Sequence, residues 1–187
     1  MRVSGRARLL GVAALAGYAV HAMYHVSRGE PEHAIWVCHL AAAFVGVGLL
    51  AGTQLLLSVG ALHLALGTPL WLFDLSQGGE FLPTSLGTHV LGLAIGLWSI
   101  WRFGIYRGAW WIAAAIMLAL IVLSRLITPA RSNVNLAFAT PNGMDRYISS
   151  HLAYLAIMIG ISCVYFWSVE TLVRRFAAAA NPEEIAS

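Results

Sequence analysis

The chain has 187 residues, of which 59% are hydrophobic and only 10% charged, and its mean hydropathy is +0.76. Soluble domains carry about 25% charged residues, so a water-facing globule is excluded and a single-domain polytopic membrane protein is implied. The formal net charge is +3, every basic residue is Arg, and no basic run is dense enough to hold nucleic acid. The absence of Lys suggests a GC-rich bacterial genome, and hence the bacterial cytoplasmic (inner) membrane.

A spanning helix needs about 20 mostly apolar residues; six stretches qualify, at roughly 9–27, 33–52, 54–73, 85–101, 109–127 and 150–173. The first, "MRVSGRARLLGVAALAGYAV", has the layout of a secretory signal, basic then apolar, and is predicted as the first span. It carries Tyr18, His21 and His25 on one helical face. The turn "SRGEPE" follows, with His33 beside it, and the second span brings Cys38 and His39. The third holds His63 at mid-depth, is expected to kink at Pro69, and ends at Asp74. After "DLSQGGEFLPT" the fourth opens with Ser85 and His89. Trp110 and Trp111 open the fifth as interfacial anchors, and Arg125 closes it. The connection "TPARSNVNLAFATPNGMDRYIS" supplies Asn133, Asn135 and Asp145. The sixth span begins at His151 and carries Cys163, Trp167 and Glu170, the last set to snorkel or to pair with Arg174 at i+4. The tail "AAAANPEEIAS" reads as a short frayed end.

Arginine asymmetry orients these spans. With the N-terminus cytoplasmic, Arg2, Arg6, Arg8, Arg102, Arg107, Arg174 and Arg175 face inward, and Arg28, Arg125, Arg131 and Arg146 face outward. Glu30, Glu32, Asp74, Glu80 and Asp145 then all lie outside, and both termini lie inside. Six of the seven histidines fall at one level, near the outer interface; His63 is the exception. Interfaces are where polar residues cost least, so some gathering is expected of any such protein. The inner interface has Arg but no His, however, and ionisable groups at membrane depth usually face a bundle interior or a wet cavity.

Three chemistries suit these residues. His21 and His25 form an HxxxH pair and Ser85 and His89 an SxxxH pair; with Asp74, the three imidazoles His21, His25 and His89 suit zinc and a metal-activated water. This pairing resembles the motifs of alkaline-ceramidase-type membrane hydrolases, in reversed order. A haem or chlorophyll ligand pair from His25, His39, His89 and His151 is the second option. The third is a thiol nucleophile, Cys38, activated by an imidazole. His39 projects about 100° away from Cys38 on a helix, so His89 is the better partner. Packing alone also accounts for an isolated Cys. Two cysteines, Cys38 and Cys163, are too few for a disulfide framework.

The stretches "AIWVCHLAAAFVGVGLL", "LLSVGALHLALGTPLWLFD", "FLPTSLGTHVLGLAIGLW" and "SNVNLAFATP" together resemble the YwaF-like integral membrane family. That family shows a Cys opening one span, a Gly-rich span ending in a T-P-acid element, a His opening the next span, and an Asn-rich loop before the last helix. Its eukaryotic branch includes an ether-phospholipid acyltransferase that uses a Cys. The androgen-induced-gene hydrolases of branched fatty-acid esters are more distant. The resemblance covers roughly residues 15 to 170 and implies that Cys38 matches the family's Cys, Thr68, Pro69 and Asp74 the T-P-acid element, His89 the family's His, and Asn133 or Asn135 the loop. "AIWVC" stands where the family shows a PLxLC-type run.

The expectation is therefore an all-α membrane bundle of six transmembrane helices with both termini cytoplasmic. Its site, on the outer side, acts on membrane lipids as an acyl hydrolase or acyltransferase. Cys38 is nucleophile and His89 base; Asp74 or Asn135 orients the imidazole or polarises the carbonyl; His39, Ser85, Asn135 and His151 line the pocket; no cofactor is needed. The alternative is a metal or tetrapyrrole centre on His21, His25 and His89, in a zinc hydrolase or a redox or photosynthetic complex. A structural subunit of a larger complex, or a homo-oligomer, also fits the seven Trp and many Gly.

Overall fold

The computed structural model describes residues 1, 3–141, 144 and 146–180; Arg2, Asp145 and the tail from Asn181 lie outside them. The described residues contain no strand. Six α-helices run in chain order: α1 Gly5–Ser27, α2 Val37–Ala51, α3 Gln54–Ser76, α4 Gly92–Phe103, α5 Ala109–Ile127 and α6 His151–Ala180. Short 3₁₀ turns cover Pro31–Ile35, Ala130–Ser132 and Val134–Leu136, and a π-turn, Gly87–Leu91, leads into α4.

Four of the six helices, α1, α3, α5 and α6, are long and apolar enough to cross a membrane. The second and fourth predicted spans depart from expectation: in the fourth, the π-turn interrupts the helix and α4 keeps 12 residues. Residues 31–35 coil into a 3₁₀ turn, and α2 keeps 15 residues, about 22 Å at 1.5 Å per residue. That falls short of a hydrocarbon core of about 30 Å. The cause is local: Pro31 starts a separate turn, and Trp36 with ψ 134° breaks the helical path before Val37. At the other end Gly52, at φ 68°, stops α2 sharply and α3 begins two residues later.

Helix α3 is the axis of the bundle. Leu57 and Leu64 join Ala7, Ala14, Ala41, Val45 and Ile95 in one apolar cluster. Val59 and Leu62 join Ala109, Ala113 and Phe166 in a second. Small residues set how closely the helices approach. A Cβ at Gly11 would meet the Gly46 carbonyl at 2.9 Å, and one at Gly17 would meet the Gly87 carbonyl at 2.8 Å. The second contact seats the π-turn against α1, one turn below His21.

The breaks in helical bonding are compensated. Pro69 leaves the carbonyl of Ala65 without its usual donor, and the Tyr165 hydroxyl of α6 donates to it at 2.8 Å. Thr68 donates to the His89 carbonyl within the π-turn at 3.2 Å. At the α4–α5 end, Ser58 accepts from the Tyr106 amide at 2.8 Å, and Gln54 donates to the Phe103 carbonyl at 2.8 Å. Glu170 of α6 accepts from the amides of Gly108 and Trp110, at 2.8 and 3.0 Å. It thus caps α5 from another helix, a role beyond the expected pairing with Arg174, which it also meets at 3.8 Å.

Candidate metal and thiol site

The end of the bundle where α1 stops and α2 and α4 begin encloses a cavity of about 350 Å³. His21, His25, His33, His39, His89, Asp74 and Ser85 line it, with Trp36, Trp71 and Leu82 as apolar wall. Five of the seven histidines therefore meet in one space. His21, His25, His39 and His89 are all buried.

The rings pack against one another. His21 lies edge-on to His25 and to His39, with centroids 4.7 and 4.3 Å apart. His33 stacks on His25 at 5.0 Å. His89 is stacked on Trp71 at 4.7 Å with only 3° between the planes. One donor atom from each of His21, His25 and His39 lies within 4.8 Å of the others, and the same holds for Cys38, His39 and His89. His39 belongs to both groups. The third imidazole beside the HxxxH pair is thus His39, where the sequence pointed to His89; His89 meets Cys38 and His39 instead.

The protons on His39 follow from its contacts. Its Nδ1 lies 2.9 Å from the His33 carbonyl. A carbonyl only accepts, so Nδ1 donates, and Nε2 of the neutral ring presents a lone pair. That Nε2 is 3.1 Å from Nε2 of His21, whose Nδ1 is 2.8 Å from the Thr84 hydroxyl. Two arrangements satisfy this chain. Thr84 donates to His21 and His21 Nε2–H donates to His39, or both Nε2 lone pairs face a shared cation. A backbone carbonyl or hydroxyl behind the imidazole is the usual support of a metal-ligating histidine.

Buried polar atoms are nearly always paired, and here several are not. Nδ1 of His25 and Nδ1 of His89 are buried without a hydrogen-bond partner. The nearest acid to His25 is Glu30, at 3.8 Å, beyond hydrogen-bond length. His63, at mid-depth, also leaves Nε2 unpaired and packs edge-on to Phe166 at 5.0 Å; it lies outside the cavity.

Cys38 packs against Gly67 of α3, where an added Cβ would sit 2.8 Å from the Cys38 Cβ. No hydrogen bond joins its sulfur to His89. Asp74 is exposed at the cavity mouth and bonds no histidine. Ser85 donates to the Leu82 carbonyl at 2.6 Å and so fixes the turn before the π-turn. At the rim, Arg28 donates to Glu80 at 2.9 Å and to the Tyr24 hydroxyl at 3.1 Å, tying α1 to the α3–α4 loop.

Asn135 and His151 do not line the cavity. Asn135, at φ 55°, accepts from the Val37 amide at 2.7 Å and donates to the Ile35 carbonyl and the Ser124 hydroxyl, at 3.0 and 2.9 Å. It clamps the α5–α6 connection onto the start of α2, which has no side-chain cap of its own. His151 bonds the Ala137 carbonyl at 3.3 Å and stacks on Tyr154. Asn133 accepts from the Phe138 and Ala139 amides, both at 3.0 Å. The Asn-rich loop thus bonds backbone groups at the start of α2 and within the α5–α6 connection.

Three contributors were not singled out from the sequence: the His33 carbonyl, Thr84 and Trp71. Thr84 sits one residue before Ser85 in "FLPTS", so a broader reading of that motif reaches it. The other two depend on how the turns fold. No family model, curated protein or solved structure matches the chain.

Proposed function

We propose that the cavity is a membrane-embedded metal centre, with His21, His25 and His39 holding a zinc-like divalent ion. One observation carries this reading: two imidazole Nε2 atoms face each other at 3.1 Å while their Nδ1 atoms rest on the His33 carbonyl and Thr84. Zinc bound at about 2.0–2.1 Å sets neighbouring tetrahedral nitrogens about 3.4 Å apart, close to that spacing. His25 offers a third imidazole nitrogen within 4.8 Å of those of His21 and His39. Three protein ligands leave a fourth position for water, the arrangement of hydrolytic zinc sites. The rings of His21, His25 and His39 already lie with centroids 4.3–5.9 Å apart, which favours a bare ion over haem or chlorophyll.

The reaction class proposed is hydrolysis of a lipid ester. In this reading all six helices embed in a bacterial inner membrane, with both termini cytoplasmic and the cavity at the outer interface, where lipid esters lie. His89 and Asp74 are the groups placed to move a proton. Elemental analysis of protein purified without an affinity metal should give about one ion per chain, and His21→Ala and His39→Ala should give none. A metal-free wild-type protein with full lipid-ester turnover sinks the proposal.

A second reading rests on a different observation. The Cys38 sulfur and a nitrogen of His89 are within 4.8 Å, and His89 Nδ1 has no partner. Cys38 attacking an acyl carbonyl with His89 as base is the activity that the YwaF-like resemblance implies. Cys38→Ser separates the two: loss of turnover with metal retained favours the thiol, and unchanged turnover favours the metal-bound water.

A further inference from the structure

A second cavity, of about 500 Å³, lies at the opposite end of the bundle, where α5 begins beside the last third of α6. Arg107, Arg174 and Arg175 line it, with Trp110, Trp167 and Glu170. Arg107 comes from the α4–α5 turn and the other two arginines from α6. They converge because Glu170, one turn before Arg174, grips the Gly108 and Trp110 amides. The carboxylate already occupies the start of α5, so those amides are not available to a ligand. Of the three guanidiniums, only Arg174 has an acid within reach among the described residues, Glu170 at 3.8 Å.

We infer that this cavity binds the phosphate of an anionic membrane phospholipid. Guanidiniums recognise phosphate oxygens through paired N–H donors. Tryptophans sit at headgroup depth in spanning proteins, and Trp167 is 54% exposed beside the arginines. One turn before it on the same face of α6, Val164 presents apolar surface, at 65% exposure, for the acyl chains to lie against. Three arginines against one glutamate leave a surplus of two positive charges. A zwitterionic headgroup brings no net charge to set against that surplus, whereas an anionic phosphodiester brings one negative charge and halves it. Basic pockets between spanning helices hold anionic headgroups in this way.

The test uses the full chain in detergent, titrated with phosphatidylglycerol or phosphatidylcholine and read by native mass spectrometry. One phosphatidylglycerol should be retained in preference to phosphatidylcholine. The triple variant Arg107→Gln/Arg174→Gln/Arg175→Gln should lower that preference by roughly fivefold per arginine, on the order of a hundredfold in all. Arg131→Gln at the other end should leave it unchanged. Thermal unfolding of each variant reports folding separately, and Arg175→Gln alone should already give the single-arginine loss. Equal retention of both lipids, or full preference in the triple variant, overturns the inference. Inorganic phosphate binding alone with the same arginine dependence, without lipid preference, overturns the lipid as its source.

Discussion

The two ends of the bundle use buried polar groups in opposite ways. At the α5 start, Glu170, Gln54 and Ser58 each meet backbone partners across helices, and the chain's own amides and carbonyls use up their hydrogen-bonding capacity. At the histidine end, Nδ1 of His25 and Nδ1 of His89 are buried without a partner, and Nε2 of His21 meets Nε2 of His39 at 3.1 Å. An unpaired buried polar atom costs about 1–3 kcal/mol. Unpaired buried atoms also occur elsewhere, at His63, Ser99 and His151, so the contrast rests on the two that share one cavity, His25 and His89.

Four perturbations break or sharpen that contrast. His39→Ala should remove the metal and lower turnover by roughly a hundredfold or more, while Thr84→Val, which removes only the support behind His21, should weaken metal affinity about 10- to 100-fold. Metal titration by competition with a chelator distinguishes them. Glu170→Ala should do the reverse: metal content stays, but the orphaned amides at α5 should cost about 2–3 kcal/mol in unfolding free energy. Tyr165→Phe should cost about 1 kcal/mol by unpairing the Ala65 carbonyl, again without metal loss. Both are read by thermal or denaturant unfolding in detergent.

The smallest effect concerns acid. The Ser132 hydroxyl donates to Glu32 at 2.6 Å and holds its carboxyl below the usual value of 4.5. A carboxyl lowered on folding contributes stability that is full above its unfolded value and is lost as pH falls through its folded one. The α5–α6 connection should therefore loosen only under acid conditions. Glu32→Gln should flatten that step, as read by amide exchange over residues 128–140.

Composition and hydrophobic length were enough to read an all-α chain with helices long and apolar enough to cross a membrane, the helix order, and the gathering of His21, His25, His39 and His89 at one end. Those conclusions need only hydrophobic length and alternating direction, which are local properties of the chain. Pro69 was legible as a break, but Tyr165 as the donor that heals it was not, because the partner lies in another helix. Asn135 and His151 read as pocket residues because they share a level with the histidines; depth places a residue along the membrane normal but not around the bundle.

What tertiary structure alone decided is which donors touch. A one-residue change of phase, such as the π-turn at Gly87–Leu91, turns a side chain by about 100°, and no spacing in the sequence announces it. The approach of α1 to α2 through Gly11 and Gly46 brings His21 to His39. The fold of the Pro31–Ile35 turn puts the His33 carbonyl behind it. Hydrophobic patterning determined that a histidine-rich end exists. Close packing between helices, which depends on surfaces distant in the chain, determined that His21, His25 and His39 form one group and Cys38, His39 and His89 the other.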